Sequence, residues 1–463
     1  MSTSERTTPT DTRVPAEAMA TKTPRIPAPE VDWTVMIFMV GDNNLNDQAL
    51  ADLREIKEAG SSKDITVIVE TDLSKGPTNR YLITRDRTLE EDVDAQWPET
   101  RPEVLKDFLH WSIKYHPAKR YMLLLWGHGR ALDSFEVPAD LPDANDIDPR
   151  VRQAVIRRRN ERLSRGKKPR KGSQDAKPFF IICPDDEARH AISNMELKEI
   201  LESVSHKIDG GKIHVLGMVA CLMGMFEMCY ELRNAAHYMI ASESLIPDTS
   251  LPFDKVIPFL IENPKIEPED VCRTIVSAFK TFYVEDEEMP VQLSAFDLTK
   301  AEQLRTIIDE FAQLLIAKIN AGDKDTLNAV LGSHFQTQRY DEDQFFDLYD
   351  FCYMLKGNCT NQEICDLCQR IMDGIGSEKQ RNFVVASECN SKAMEFSYGL
   401  AIYFPWGELN PVRYSTLDFT RAPSSNRPHS PWLDFLTTYV DSITKFDRDS
   451  RDEESPQESV ATA

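Results

Sequence analysis

Short apolar runs, rich in β-branched and aromatic residues and bounded by turn residues, alternate with amphipathic helical patterns along the first half of the chain. Strands are predicted at residues 33–40, 65–70, 80–85, 121–126, 179–186, 212–220 and 237–244. Helices are predicted between them at 45–59, 104–115 and 194–205. In the first helix, Leu50, Leu53 and Ile56 share one face. This alternation predicts an α/β fold with a central, mostly parallel sheet and helices on both of its faces.

The second half of the chain has a mostly helical pattern. Helices are predicted at 268–283, 300–321 and 344–355, and two late strands at 291–296 and 398–404. Because 463 residues exceed what one hydrophobic core usually organises, we predict an α/β domain at 31–265 and a helical portion at 266–445 that packs on it. The polar segment 1–30 and the acidic segment 446–463 are predicted to be disordered tails.

A long polar segment at 133–177 interrupts the alternation of strands and helices. Its basic part, residues 150–171, holds eight Arg and three Lys against one Glu. A connection of this length inside a compact domain is usually functional or disordered. Three interpretations stay open at this point: a processing or inhibitory loop, an inert solvated insertion, and a nucleic-acid-binding patch.

The charge balance narrows the class of protein. With 54 basic and 76 acidic residues the net charge is −22, which argues against general nucleic-acid binding. No apolar run approaches the roughly 18 residues of a membrane-spanning helix. Residues 1–30 lack the apolar core of a signal peptide, and the nine cysteines are scattered through apparent core segments. We therefore expect a cytoplasmic protein with no membrane partner.

One cysteine motif is a candidate for metal binding. Cys365 and Cys368 form a C-x-x-C inside a predicted helical stretch, with Cys359 nearby. No second pair of ligands that would complete a zinc site is visible, so we interpret these cysteines as core or inert residues and predict no metal site. No EF-hand loop is present either. We predict no cofactor, and a calcium requirement stays open.

Two short motifs follow apolar strands and carry residues suited to catalysis. WGHG, residues 126–129, contains His128, and ACLMG, residues 220–224, contains Cys221. The carboxyl ends of parallel strands meet at one edge of a sheet, where binding crevices form. If a helix begins at Leu222, its N-terminus would lower the pKa of the Cys221 thiol. His128 is then the candidate general base that takes the thiol proton.

The same motifs offer donors for a developing oxyanion. The N–H groups of Gly129 and Cys221 are the candidate pair. Each motif alone has an ordinary alternative, because a histidine between glycines is often a turn residue and a cysteine at a strand end is often buried filler. The position of both motifs at one sheet edge favours the catalytic interpretation.

Longer segments around these motifs resemble the clostripain-like cysteine peptidases, a caspase-related family. WTVMIFMVGDNNLNDQALADLREI (33–56) resembles the family's opening strand, turn and helix, and YMLLLWGHG (121–129) resembles its strand with the catalytic histidine. ACLMGMFEMCYELR (220–233) resembles the segment with the catalytic cysteine. GLAIYFP (399–405) and Trp432 with FLTTYV (435–440) resemble the C-terminal end, so the likeness runs from about Trp33 to Asp441.

The resemblance implies a caspase-like α/β/α sandwich over 31–265 with a helical C-terminal elaboration. It also implies a cysteine endopeptidase with His128 and Cys221 as its dyad. Members of the family typically cut after Arg or Lys, and many are zymogens cleaved between the histidine and the cysteine. The segment 133–177 then becomes a processing loop, cut by the enzyme itself or by an upstream activating protease. Candidate positions are Arg157, Arg158, Arg159, Arg162, Arg165, Lys168, Arg170 and Lys171.

The chain departs from the family pattern at one position. The family usually has an Asp two residues before the cysteine, where it helps to form an acidic pocket for a basic side chain. Here that position is Val219, and valine cannot pair with a guanidinium. Asp248, just past the next strand, is a candidate replacement and Glu243 is another. The ordinary alternative for both is a solvated acid at a strand end.

These observations predict a cysteine endopeptidase that acts on proteins or peptides with exposed Arg or Lys. The change at Val219 keeps a second hypothesis open, that of a catalytically inactive protease-like scaffold or a regulatory interaction protein. A reactive-thiol probe directed at Cys221 distinguishes the two.

Overall fold

The structure, a computed structural model, describes most of the chain. The described residues are 27–74, 78–91, 101–131, 180–184, 191–284, 289–340, 344–377, 379–405, 409, 414, 417–421 and 429–453. The segment 1–26 of the predicted N-terminal tail, the predicted loop 133–177 and residues 454–463 lie outside them.

The described residues form fifteen strands and eleven α-helices. The strands are β1 (Val31–Gly41), β2 (Ile65–Leu73), β3 (Asn79–Ile83), β4 (Leu89–Glu91), β5 (Ala118–Trp126), β6 (Gly129–Ala131), β7 (Phe180–Ile182), β8 (Ile192–Ser193), β9 (Ile213–Val219), β10 (Ala236–Ala241), β11 (Gln292–Asp297), β12 (Arg339–Tyr340), β13 (Phe345–Asp347), β14 (Val384–Cys389) and β15 (Ala401–Tyr403). The helices are α1 (Asn46–Ala59), α2 (Arg101–Tyr115), α3 (Asn194–Ser205), α4 (Phe226–Leu232), α5 (Phe253–Glu262), α6 (Pro268–Tyr283), α7 (Ala301–Asn320), α8 (Lys324–Gln336), α9 (Leu348–Asn358), α10 (Gln362–Ile375) and α11 (Pro431–Glu453).

The main sheet has a parallel centre and antiparallel edges. Among the described strands its order is β14-β11-β10-β9-β5-β1-β2-β3-β4. Neighbours from β2 through β1, β5 and β9 to β10 are parallel, whereas β3, β4, β11 and β14 run antiparallel to their neighbours. The prediction of a mostly parallel central sheet is confirmed.

The sheet separates two hydrophobic cores. One core packs α1, α5 and α6 against the sheet, and the other packs α2, α3 and α4 together with α7 to α11. Along β5, Leu124 and Trp126 face the first core, while Leu123 and Leu125 face the second. Because both faces of this strand are buried, it appears in the sequence as a continuous apolar run. The predicted sandwich with helices on both faces is therefore confirmed.

Some predicted elements keep their bounds because local signals define them. Helices α3 and α6 begin and end where the sequence predicts. In α3 a capping box forms, in which the Ser193 hydroxyl accepts from the Glu196 N–H and the Glu196 carboxylate accepts from the Ser193 N–H. These reciprocal bonds satisfy N–H donors that the first turn of a helix cannot pair internally.

Two helical predictions are wrong in part. Leu50 is 42% exposed, whereas the buried face of α1 includes Asp52 beside Leu53 and Ile56. The segment 344–355 is predicted as one helix, but it begins with strand β13, and α9 starts at Leu348. The Asp347 carboxylate accepts from the Asp350 N–H at 2.7 Å, which is a side-chain cap at the start of α9.

The C-terminal portion shares the main sheet. Strand β11 lies beside β10 and β14 lies beside β11, and α6 packs on β14. Helix α7 contacts α10 and α11, and β13 pairs with β12 and β15 in a small separate sheet. Helix α11 continues to Glu453, past residue 446, the predicted start of the acidic tail. Among the described residues, no helix combines the length and apolar character needed to cross a bilayer.

Candidate active site

His128 follows directly from the end of β5. Gly127 has a φ of +151°, and a Cβ there would lie 3.1 Å from the Val40 carbonyl oxygen. The Gly127 N–H donates to the Val219 carbonyl at 3.2 Å, so the chain stays beside β9 as it leaves the sheet. Glycine allows this close turn from β5 into β6, which leaves the His128 side chain half-buried at the sheet edge.

Cys221 follows β9 in a tight loop. Leu222 has a φ of +61°, a left-handed conformation that is uncommon for a residue with a side chain. Its N–H donates to the Ser244 carbonyl at 3.0 Å, which holds the loop against the chain after β10. Helix α4 begins only at Phe226. A helix therefore does not begin at Leu222, so the condition under which a helix N-terminus would act on the Cys221 thiol is not met.

The Cys221 thiol contacts a backbone amide of another loop and not a helix N-terminus. The Ile246 N–H donates to the Cys221 Sγ at 3.3 Å, and the same sulfur lies 3.8 Å from the Ile246 carbonyl oxygen. The thiol is half-buried. The Ile246 peptide unit thus contacts the sulfur both as a donor, through its N–H, and as an acceptor for the thiol, through its carbonyl oxygen.

The register of the sheet brings His128 and Cys221 together. Trp126 of β5 lies opposite Val219 of β9, and each catalytic candidate stands two residues past one of them. Neighbouring strands are about 4.8 Å apart. A Cβ on Gly129 would lie 2.6 Å from the Cys221 carbonyl oxygen, so the two segments are in direct contact. The predicted pair therefore lies at adjacent strand ends.

The two predicted oxyanion donors lie in the same place. Gly129 is opposite Ile182 in the β6–β7 ladder, and the Cys183 N–H donates to the His128 carbonyl at 2.9 Å. In an antiparallel ladder this bond makes Gly129 and Ile182 a pair that exchanges no hydrogen bonds. The Gly129 N–H is therefore directed away from β7. A Cβ on Gly129 would lie 3.2 Å from the Cys221 nitrogen.

Sequence reasoning missed Asn44. This exposed residue lies in the turn after β1, and its Oδ1 is 2.7 Å from the Nε2 of His128. The asparagine-rich turn at 41–44 is visible in the sequence, but it shows only a turn. Its relation to the histidine depends on β1 and β5 being neighbours in the sheet.

The three predicted pocket residues lie in different environments. Val219 is 5% exposed and packs in the apolar core that also holds Trp126. Asp248 is exposed in the loop after β10, two residues from Ile246. Glu243 is fully buried, and burial together with Asp347 raises the pKa of its carboxyl well above the usual range. Glu243 therefore offers no surface to a substrate.

A second buried acid, also missed, lies beneath the site. The Trp126 indole donates to the Asp52 Oδ2 at 2.8 Å and contacts the Ser250 hydroxyl at 2.8 Å. Gln48 donates to the other carboxylate oxygen at 2.8 Å. Burial raises the pKa of Asp52 to about 6 despite these donors. The cluster fixes α1 and the loop after β10 to the end of β5.

The remaining predicted residues do not contribute to this geometry. All eight processing-loop candidates lie outside the described residues. Cys368 is buried, and Cys359 and Cys365 are half-buried, in the region of α9 and α10. Among the residues that the structure describes, no group of three or more His, Cys, Asp or Glu side chains is placed to hold a metal ion.

A cysteine beside a histidine at the carboxyl edge of such a sheet is the arrangement of a cysteine-type hydrolase. The model of the clostripain family, peptidase C11, matches residues 37–138 and 170–435. The chain therefore belongs to the clostripain family and is a cysteine-type endopeptidase. The resemblance noted in the sequence is confirmed.

The chain is similar to known proteases over most of its length. Clostripain of Hathewaya histolytica is 22% identical over 445 residues, which cover 83% of this chain and 76% of that protein. An inactive zymogen of a C11 protease from Parabacteroides distasonis matches with a TM-score of 0.54 and 16% identity, over 85% of this chain and 98% of that one. A secreted C11 cysteine protease from Bacteroides thetaiotaomicron gives a TM-score of 0.57 and 16% identity, over 84% and 98%.

Proposed function

We propose that the chain hydrolyses peptide bonds with Cys221 as nucleophile and His128 as general base. The thiol proton passes to His128, the thiolate attacks the scissile carbonyl carbon, and the oxyanion accepts from the N–H groups of Gly129 and Cys221. The imidazolium then returns the proton to the leaving amine, and water hydrolyses the thioester with His128 again as base. The observation that carries this proposal is the register that pairs Trp126 with Val219.

Matched cysteine variants test the nucleophile. Cys221→Ala is expected to abolish peptide cleavage and labelling by a thiol-directed peptide probe, while Cys365→Ala, at another half-buried cysteine, keeps both. His128→Ala is expected to lose cleavage as well. A Cys221→Ala protein that still cleaves peptides would refute the assignment.

We propose that the enzyme cuts after Arg or Lys, with Asp248 as the pocket acid. Val219 cannot contribute charge and Glu243 is fully buried, which leaves Asp248 as the accessible acid among the three candidates. Asp248 shares its loop with Ile246, whose N–H contacts the thiol. Pairing with a carboxylate adds about 1.5–3 kcal/mol to the binding of a guanidinium.

The specificity test compares two exposed acids. Asp248→Asn is expected to lower kcat/KM for an Arg peptide roughly 10- to 100-fold and to leave an isosteric citrulline peptide nearly unchanged. Asp254→Asn, at an exposed acid in the first turn of α5, is the control. Equal cleavage of the Arg and citrulline peptides by the wild-type protein would exclude basic specificity.

We further propose that the chain is a zymogen that is processed between Arg150 and Lys171. The support is the basic composition of that segment and its place between His128 and Cys221. Intact mass of wild-type and Cys221→Ala proteins after parallel incubation tests this. A break in the segment in wild type alone shows self-processing, whereas peptidase activity that appears only after an added trypsin-like protease has cut the segment shows dependence on an upstream enzyme. Full activity of an uncut chain contradicts the proposal.

A further inference from the structure

Three neighbouring strands end in a row of polar residues. Met39 of β1 lies opposite Trp126 of β5, and Trp126 lies opposite Val219 of β9. Just beyond these aligned positions the chain places Asn44, His128 and Cys221, each at the carboxyl end of its own strand. The histidine is in the middle of this row, between an amide and a thiol.

The contact between Asn44 and His128 determines which ring nitrogen carries the proton. The Asn44 Oδ1 is 2.7 Å from the His128 Nε2, and an amide oxygen only accepts hydrogen bonds. Nε2 is therefore the protonated nitrogen, and the lone pair of the neutral ring is on Nδ1. The geometry points to Asn44 as a positioning residue that fixes the His128 ring in the form with its lone pair on Nδ1, the nitrogen that would take the Cys221 proton. This inference rests on the proposed dyad and adds a third member to it.

The turn that carries Asn44 is itself held in place. The Leu45 N–H donates to the Asn43 Oδ1 at 2.8 Å, and the Ser74 N–H donates to the Asn46 Oδ1 at 3.1 Å. Helix α1 begins immediately afterwards and is tied to β5 by the Asp52–Trp126 hydrogen bond. The Asn44 amide is thus fixed relative to the strand that carries His128.

The hydrogen bond persists through the proton transfer. When the Cys221 thiol proton moves to Nδ1, both ring nitrogens carry hydrogen, and the Nε2–H still donates to Asn44. The bond becomes charge-assisted in the imidazolium, so it is stronger in the thiolate–imidazolium pair than in the neutral pair. Asn44 therefore favours the reactive form and holds the ring in place while the proton returns to the leaving amine.

The first test separates positioning from folding. Asn44→Ala is expected to lower kcat roughly 10- to 100-fold with KM nearly unchanged, because substrate binding does not involve this contact. Asn263→Ala, which removes the exposed side-chain hydrogen bond from Asn263 to the Phe259 carbonyl at the end of α5, is the matched control and is expected to keep wild-type kcat. Wild-type kcat in Asn44→Ala, or equal losses in the two variants, would overturn the inference.

The second test uses a charge. Asn44→Asp places a carboxylate at Nε2, which favours the imidazolium. The limb of the pH–kcat/KM profile that reports His128 is expected to move to higher pH by about one unit or more. A role limited to the shape of the turn would leave that limb in place, so superimposable profiles would overturn the inference.

The third test needs no activity. In protein labelled with ¹⁵N-histidine, nine side chains contribute, and His128→Ala identifies the relevant signals. The neutral His128 ring is expected to be the Nε2–H form in wild type and a mixture of forms in Asn44→Ala. An Nδ1–H ring in wild type would refute the inference even if the protein cleaved nothing. Failure of Cys221→Ala to abolish cleavage, by contrast, would refute the dyad itself.

Discussion

The buried carboxylate of Asp52 predicts how the stability of the protein depends on pH. The ion pairs of the described residues include none between Asp52 and a cation. Asp52 is 1% exposed, and burial raises its pKa from 3.8 to about 6. At about 1.4 kcal/mol per pKa unit, the ionised carboxylate costs the folded protein about 3 kcal/mol. Because the pKa of Asp52 is higher in the folded state, the folded protein binds this proton more tightly than the unfolded chain does. The stabilisation that results is complete below about pH 4 and is lost as the pH rises through 6.

Asp52→Asn removes the charge and keeps an oxygen that can accept from Trp126. The variant is expected to exceed wild type in free energy of unfolding by up to about 3 kcal/mol at pH 8, and about 1.5 kcal/mol of that difference develops between pH 5 and pH 8. Denaturant unfolding at the two pH values measures it, with Asp47→Asn, exposed on the same helix, as control. A difference that does not grow with pH would show that Trp126, Gln48 and Ser250 fully compensate the charge.

Three further predictions concern the site and its support. Gly129→Ala places a Cβ 2.6 Å from the Cys221 carbonyl oxygen, so we expect peptidase activity to fall about 100-fold or more while circular dichroism stays unchanged. Glu227→Ala leaves the Tyr403 N–H and the Tyr414 hydroxyl without their buried acceptor, and the free energy of unfolding is expected to drop by about 2–5 kcal/mol in denaturant titrations. Activity is expected to be unchanged in EDTA, and its loss with recovery on added calcium would show a metal requirement.

The parts of the fold that the sequence predicts are those with local causes. Strand β5 is recognisable because both of its faces are buried, and α3 because its capping box lies within four consecutive residues. The proximity of His128 and Cys221 also follows from sequence, since parallel strands present their carboxyl ends at a common edge. This prediction requires only that the two strands belong to one parallel sheet.

The parts that the sequence does not predict depend on contacts between distant segments. Cys221 lies in a loop rather than in a helix because the Leu222 N–H pairs with Ser244, and that bond is invisible along the chain. Asp52 looks like a surface residue of α1 until β5 places Trp126 against it. Asn44 acquires its partner in the same way, through the neighbouring positions of β1 and β5.

The short ladder between β6 and β7 has a mechanical consequence. It pairs Ala131 with Phe180, so the two ends of the segment 132–179 are held side by side. A break anywhere within that segment leaves one piece with β1, β2 and β5 and another with β9, β10 and β11, joined along the β5–β9 seam. The two pieces then behave as subunits of one heterodimer, with His128 on one subunit and Cys221 on the other.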